Sequence, residues 1–286
     1  MPSSIAGSLA GELLSIVFDS FGGHEPLPTI YIGLLTTAPI NYFYGGAEVE
    51  NASIGRLAIT NNLTNFPSSE TIGLVTRKVN GTILNFGTAG SALSFVAFGF
   101  YSTATGTGGS WLGGGSFTVP LNFASGATVS IAPGGIAIAL NTASVGGCSG
   151  YVCRKMLDLA FGAVAYPNPS HFGAYFTTAP NYSTGLDGVE PAVGGYSRVA
   201  TVNQGGINGG NEQDFASSSL PTDSDIIFTN PTSDQGTVVA GGIFDAASGG
   251  NLLCGGDLAV PRNLVAGSTG VFFEVYSIQV RLLSVT

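Results

Sequence analysis

"YIGLLTTAP" runs from Tyr31 to Pro39, and "HFGAYFTTAP" runs from His171 to Pro180. The shared TTAP phrase returns 141 positions later, Pro39 falling on Pro180. A repeat of about domain length signals a duplicated unit when the same offset is found elsewhere. It is found in "WLGGGSFTVPLNFASGAT" (Trp111 to Thr128) against "LLCGGDLAVPRNLVAGST" (Leu252 to Thr269), where Pro120 meets Pro261 and Gly126 meets Gly267. Between these anchors the spacing drifts by a residue or two. Asn41-Tyr42 falls on Asn181-Tyr182 and Arg56 on Arg198, as small loop insertions would produce. Near the front, "ELLSIVF" (Glu12 to Phe18) resembles "KMLDLAF" (Lys155 to Phe161). The 286-residue chain therefore divides into two homologous halves, 1–145 and 146–286.

Each half is long enough for a core of its own. Only 9% of residues are charged, and the 44 glycines are about twice the usual share of roughly 7%. That composition belongs to a compact, loop-rich β protein rather than a disordered tail. The net charge is -9 and the pI about 4.4. Basic residues cluster no further than Arg77-Lys78 and Arg154-Lys155, so the electrostatic footprint of nucleic-acid binding is missing. Glu12 and Asp19 interrupt the first apolar stretch, and no other run reaches membrane-spanning length. "MPSSIAG" carries no basic segment, which argues against a secretory leader and for synthesis in a cytoplasm.

Each half opens with a helical pattern. Leu13, Ile16, Val17 and Phe21 recur at helical spacing in the first, and Met156, Leu159 and Ala160 in the second. Short strands follow. "VFFEVYSIQVRLL" alternates Phe272, Tyr276, Ile278, Val280 and Leu282 against Ser277, Gln279 and Arg281 as one half-buried strand. "ATVSIAPGGIAIAL" reads as two strands around Pro133-Gly134-Gly135. "INGGNEQDFASSSLPTDSD" (Ile207 to Asp225) reads as a long exposed loop. The expected fold is mainly β: two tandem antiparallel β-sandwich or jelly-roll-like domains, each preceded by a short α-helix.

Signals for chemistry are sparse. "GGCSG" (Gly146 to Gly150) has the spacing of a nucleophile elbow, but it sits where the second repeat begins and reads better as a flexible Gly/Ser connection. Cys148, Cys153 and Cys254 are too few for a disulfide framework or a closed zinc site, and reduced thiols are the expectation. His24 and His171 lie beside turn residues, where solvated or capping imidazoles are expected. The acid pairs Glu48/Glu50 and Asp223/Asp225 read as solvated loop carboxylates, with a calcium ion near Asp187 or Asp223 left open. Trp111, matched by Leu252, reads as a packing residue.

Arg56 and Arg198 are more informative, because bases are scarce and these two share a repeat position. Each follows an acidic turn, Glu48-Val-Glu50 or Asp187-Gly-Val-Glu190. A bidentate pair, Glu50 with Arg56 and Glu190 with Arg198, would fasten that turn to the next strand. The alternative is a contact to another subunit.

The ordered string "ELL..VF", "LPTIYIGLLTTAP", an acidic Gly-rich turn, "GGYSRVA" and "GGIFDAASGGNLLCGGDLAVPRNLVAGST" resembles a family of small tailed-bacteriophage virion proteins, tail-fibre-like or head-decorating. Residues 172–282 carry the pattern best, and 12–140 carry it in worn form, with "SIGRLA" for "GGYSRVA". The resemblance implies a non-enzymatic, β-rich virion component without a cofactor. Duplication, acidity and the lack of a shaft repeat favour a capsid decoration (cement) protein on the outer head surface. Its partners would be the major capsid protein and further copies of itself, with no nucleic acid and no membrane. The alternative is a tail, baseplate or tail-fibre component in host adhesion, with a tail or baseplate protein as partner. A third class, a glycan hydrolase, would need two carboxylates at catalytic separation among Glu48, Glu50, Asp223 and Asp225.

Overall fold

A computed structural model of the chain describes residues 3–18, 25–39, 46–48, 54–105, 111–142, 146–167, 169–201, 217–219, 225–273 and 279–281. The first half runs β1 (Ser3–Ile5), α1 (Gly7–Phe18), β2 (Thr29–Leu35), β3 (Leu57–Thr60), β4 (Glu70–Ile72), β5 (Val75–Val79), β6 (Leu84–Thr88), β7 (Leu93–Tyr101), β8 (Trp111–Phe123), β9 (Thr128–Ile131) and β10 (Ala137–Asn141). The second runs β11 (Gly146–Cys148), α2 (Gly150–Ala160), β12 (His171–Phe176), β13 (Val199–Thr201), β14 (Ser217–Ser219), β15 (Ile226–Ile227), β16 (Gly236–Phe244), β17 (Leu252–Leu264), β18 (Phe272–Phe273) and β19 (Gln279–Arg281). The protein is mainly β and its strands pair antiparallel.

The two halves match in topology and register. One five-stranded sheet has the order β1-β8-β7-β2-β3, and the other β11-β17-β16-β12-β13. Gly33 faces Gly99, and at the matching positions of the second half Ala174 faces Gly242. Both central hairpins break register at the same two places, Phe95/Ala97 and Phe100/Tyr101 in one, Val238/Ala240 and Ile243/Phe244 in the other. Bulges at matching positions give each hairpin the same bend. The small sheets correspond too: Lys78 faces Ile138 and Ser219 faces Gln279, while Leu84 faces Ile131 and Ile226 faces Phe273.

Each helix follows an edge strand rather than opening its half. In α2 the Ser149 hydroxyl caps the N-terminus by accepting from the Val152 N–H at 3.3 Å. Val152, Cys153, Met156, Leu157 and Leu159 then bury one broad stripe, the arrangement that lets a short helix form through packing. The helices reach across the halves. Helix α2 lies against β4, β5 and β10 as well as its own β17, and α1 lies against β14 as well as its own β8. Phe161, just past α2, meets Phe100 and Phe66 of the first half with ring centroids 5.1 and 6.2 Å apart. Phe18, its counterpart in α1, stacks on His171 of the second half at 5.7 Å. One buried cluster consequently includes Leu13, Phe66 and Phe100 together with Met156, Phe161 and Leu253. No helix among the described residues is long and apolar enough to cross a membrane.

Three local expectations change. Gly146–Cys148 is an ordered strand paired with Gly256, Gly255 and Cys254, not a flexible connection. The closing alternation splits into β18 and β19, which belong to different sheets, with 274–278 outside the described residues. The stretch read as one loop from Ile207 to Asp225 contains β14, and its other residues except Asp225 lie outside the described ones.

Candidate functional site: a duplicated arginine clamp

The TTAP phrase sits where β2 and β12 leave their sheets. Thr36 donates through its N–H at 2.9 Å and its hydroxyl at 3.1 Å to the Ala47 carbonyl. Thr177 does the same to Val189, at 2.8 and 3.1 Å. This pins the acidic turn beside the strand, so that the next residue, Glu48 or Glu190, faces the start of β3 or β13.

Arg56 meets Glu48 with Nη2 to Oε1 at 2.6 Å and Nε to Oε1 and Oε2 at 3.0 and 3.1 Å. Arg198 meets Glu190 with Nη2 to Oε1 at 2.6 Å and Nε to Oε2 at 3.0 Å. The carboxylate opposite Arg56 is thus that of Glu48. Glu50, assigned that role from the sequence, lies outside the described residues. The signal that distinguishes them is spacing: Glu48 precedes Arg56 by eight positions, as Glu190 precedes Arg198.

Two further groups complete each clamp, and the sequence reading missed both. The Arg56 guanidinium lies 3.5 Å from the centre of the Tyr101 ring, and that of Arg198 lies 3.4 Å from the centre of Phe244. Arg56 Nη1 donates to the Thr103 carbonyl at 2.9 Å, and Arg198 Nη1 to those of Ala246 and Gly249 at 2.8 and 2.6 Å. Gly249 and Gly250 have φ of 60° and 70°, the left-handed turn that brings this hairpin tip back over Arg198. Each arginine therefore ties an acidic turn, a strand start and a hairpin tip into one unit. The arginine side chains are 7% and 8% exposed.

A tyrosine hydroxyl reaches the carboxylate in both clamps, but from different elements. Tyr196 donates to Glu190 Oε2 at 2.6 Å from the segment before β13. In the first half Tyr101 supplies both the ring under Arg56 and the hydroxyl bonded to Glu48. Burial, followed by the neighbouring carboxylate, pushes both phenols above their ordinary range. Burial alone would raise Glu190, but the hydrogen bonds from Arg198 and Tyr196 outweigh it and hold the carboxyl below its usual value.

The remaining candidates are dispersed. Cys148, Cys153 and Cys254 are buried free thiols, and burial pushes Cys153 and Cys254 up to about 12. Cys148, the would-be elbow nucleophile, is also raised by burial and by the two nearby cysteines. An inert, apolar setting of this kind opposes thiolate chemistry. His171 is buried rather than solvated, its pKa pulled down to about 4 by burial. Asp187 and Asp225 are exposed, while His24 and Asp223 lie outside the described residues. Trp111 packs edge-on against Tyr101, 5.3 Å between centroids. A Cβ on Gly99 would fall 2.2 Å from its ring, so the glycine makes room for the indole.

The hydrogen bonds of Arg56 with Glu48 and of Arg198 with Glu190 all run to other parts of the same chain, and they hold each acidic turn against a hairpin tip. Residues 147–281 match the family described as podophage GP4 fiber I protein gp80. The matched stretch begins in β11 and ends in β19, and so takes in a full copy of the repeated topology, the Arg198 clamp included. No curated protein matches the chain. The similarity is to a phage virion structural protein of tail-fibre kind. It does not extend to head decoration, the placement favoured on composition and duplication.

Proposed function

We propose that this protein is a non-enzymatic structural component of a podophage tail fibre, contributing two copies of one β module per chain. The match of residues 147–281 to a podophage fibre family carries this reading, and residues 3–142 repeat the same strand order and the same clamp. The clamps suit the role, since each locks a turn and a hairpin tip that loops alone would leave loosely held. Partners would be neighbouring fibre or baseplate subunits and further copies of the chain, with binding to the particle stabilising the fold by mass action.

Gold-labelled antibody on intact particles tests the placement. Label confined to the fibres, at the low copy number set by tail symmetry, is the expected outcome. Label spread over the head at capsid-subunit density would replace this reading with decoration. Turnover of a host polysaccharide by the purified protein would replace it with a hydrolase.

A further inference from the structure

The halves meet through a charge pair, with Lys78 fully buried and Asp158 largely so, that occurs at one of two positions related by the repeat. Lys78 Nζ, on β5, lies 2.7 Å from Asp158 Oδ1, on α2, and the Lys78 side chain is 0% exposed. Lys78 also donates to the Pro67 carbonyl at 2.9 Å, and the same Asp158 oxygen accepts from the Ser69 N–H at 2.7 Å and hydroxyl at 2.6 Å. The repeat places a matching junction where α1 lies against β14. The offset that carries Phe18 onto Phe161 carries Ser15 onto Asp158. The register that pairs Lys78 with Ile138 pairs Ser219 with Gln279 in the other half, so Ser219 holds the Lys78 position. By offset and register, Ser15 and Ser219 stand at the positions that Asp158 and Lys78 hold in the first junction.

We propose that the Lys78–Asp158 pair is a recognition device that makes each half accept the unlike half and reject a second copy of itself. Because each helix crosses to the opposite half, the same socket can receive a helix from another chain, the geometry of exchange between protomers. Were two first halves to pair, the Lys78 ammonium of one would meet the Ser15 position of the other. Were two second halves to pair, Asp158 would meet the Ser219 position. Either leaves a buried or largely buried charge without its partner, which is unfavourable, whereas unlike halves satisfy both junctions. Rejection of the wrong pairing by an unpaired charge is what a crowded assembly of identical chains requires.

The test uses the full chain with a protease site between β10 and β11, cut only after folding. The nicked protein is brought to a urea concentration at which the halves exchange, returned to buffer, and weighed by native mass spectrometry with a mass tag on one half. The parent is expected to give unlike pairs in at least about tenfold excess over like pairs. K78S/D158S, which makes both junctions Ser–Ser, is expected to give like and unlike pairs in comparable amounts. S15D/S219K, which keeps the existing pair and adds a second, is expected to do the same, and it carries the test if K78S/D158S does not fold. Like pairs in the parent at comparable frequency would overturn the proposal, as would a parental excess of unlike pairs in S15D/S219K.

Discussion

Arg198 holds Glu190 by one edge of its guanidinium, Nη2 at 2.6 Å and Nε at 3.0 Å, while its flat face rests on an aromatic ring. A lysine can supply the charge but neither the fork nor the planar face. Arg198→Lys is expected to lower unfolding stability by about 1–3 kcal/mol, and Arg56→Lys by a similar amount, read from urea midpoints. A double-mutant cycle on Glu190 and Arg198 with no coupling energy would show that the pair contributes nothing to holding the turn.

The tyrosine hydroxyl reaches the two clamps from different positions, which makes it transplantable. Tyr196→Phe removes the donor to Glu190 and is expected to cost about 1–2 kcal/mol, in the range of a hydrogen bond to a charged group. Adding Phe244→Tyr, which copies the first half's Tyr101, is expected to recover most of that loss. Failure to recover would mean that the ring position in the second half does not present a hydroxyl to Glu190.

His171 makes folding sensitive to mild acid. Its folded pKa of about 4 lies below the ordinary 6.5, so between these values the unfolded chain takes up a proton that the folded one does not. Stability should fall as pH drops from 6.5 toward about 4, with a slope approaching ~1.4 kcal/mol per unit. His171→Phe is expected to flatten that window. Glu190 and Asp158, whose pKa values are lowered by their hydrogen-bond partners despite burial, lose their contributions at still lower pH and leave the two effects separable.

The three thiols provide a reading of global opening. Cys148, Cys153 and Cys254 are buried and their pKa values are raised, so alkylation at neutral pH is expected to be slow and to proceed at all three together once the fold opens. Rapid modification of Cys148 alone would show that the β11 edge opens independently of the core.

Much of the architecture is legible along the chain because it depends on local or repeated signals. TTAP, the "VP" strands and the recurring arginines mark two copies of one unit, and the spacing of Leu13, Ile16 and Val17 marks a helix. The equal separation of Glu48 from Arg56 and Glu190 from Arg198 also stands in the sequence, and it identifies Glu48 rather than Glu50 as the clamp carboxylate. What no local pattern reveals is which half each helix buries itself in. Phe18 and Phe161 look alike in sequence, yet each ends among residues of the opposite half, because an apolar stripe records the need for burial without naming the surface that provides it. The Lys78–Asp158 pair spans 80 positions, and the rings under Arg56 and Arg198 come from hairpins more than forty residues downstream. Electrostatic and stacking contacts of that range depend on distances that exist only after the chain has closed on itself. Local and repeated pattern thus accounts for the β module and its acidic turns, whereas the grip of one copy on the other rests on contacts that form only in the tertiary structure.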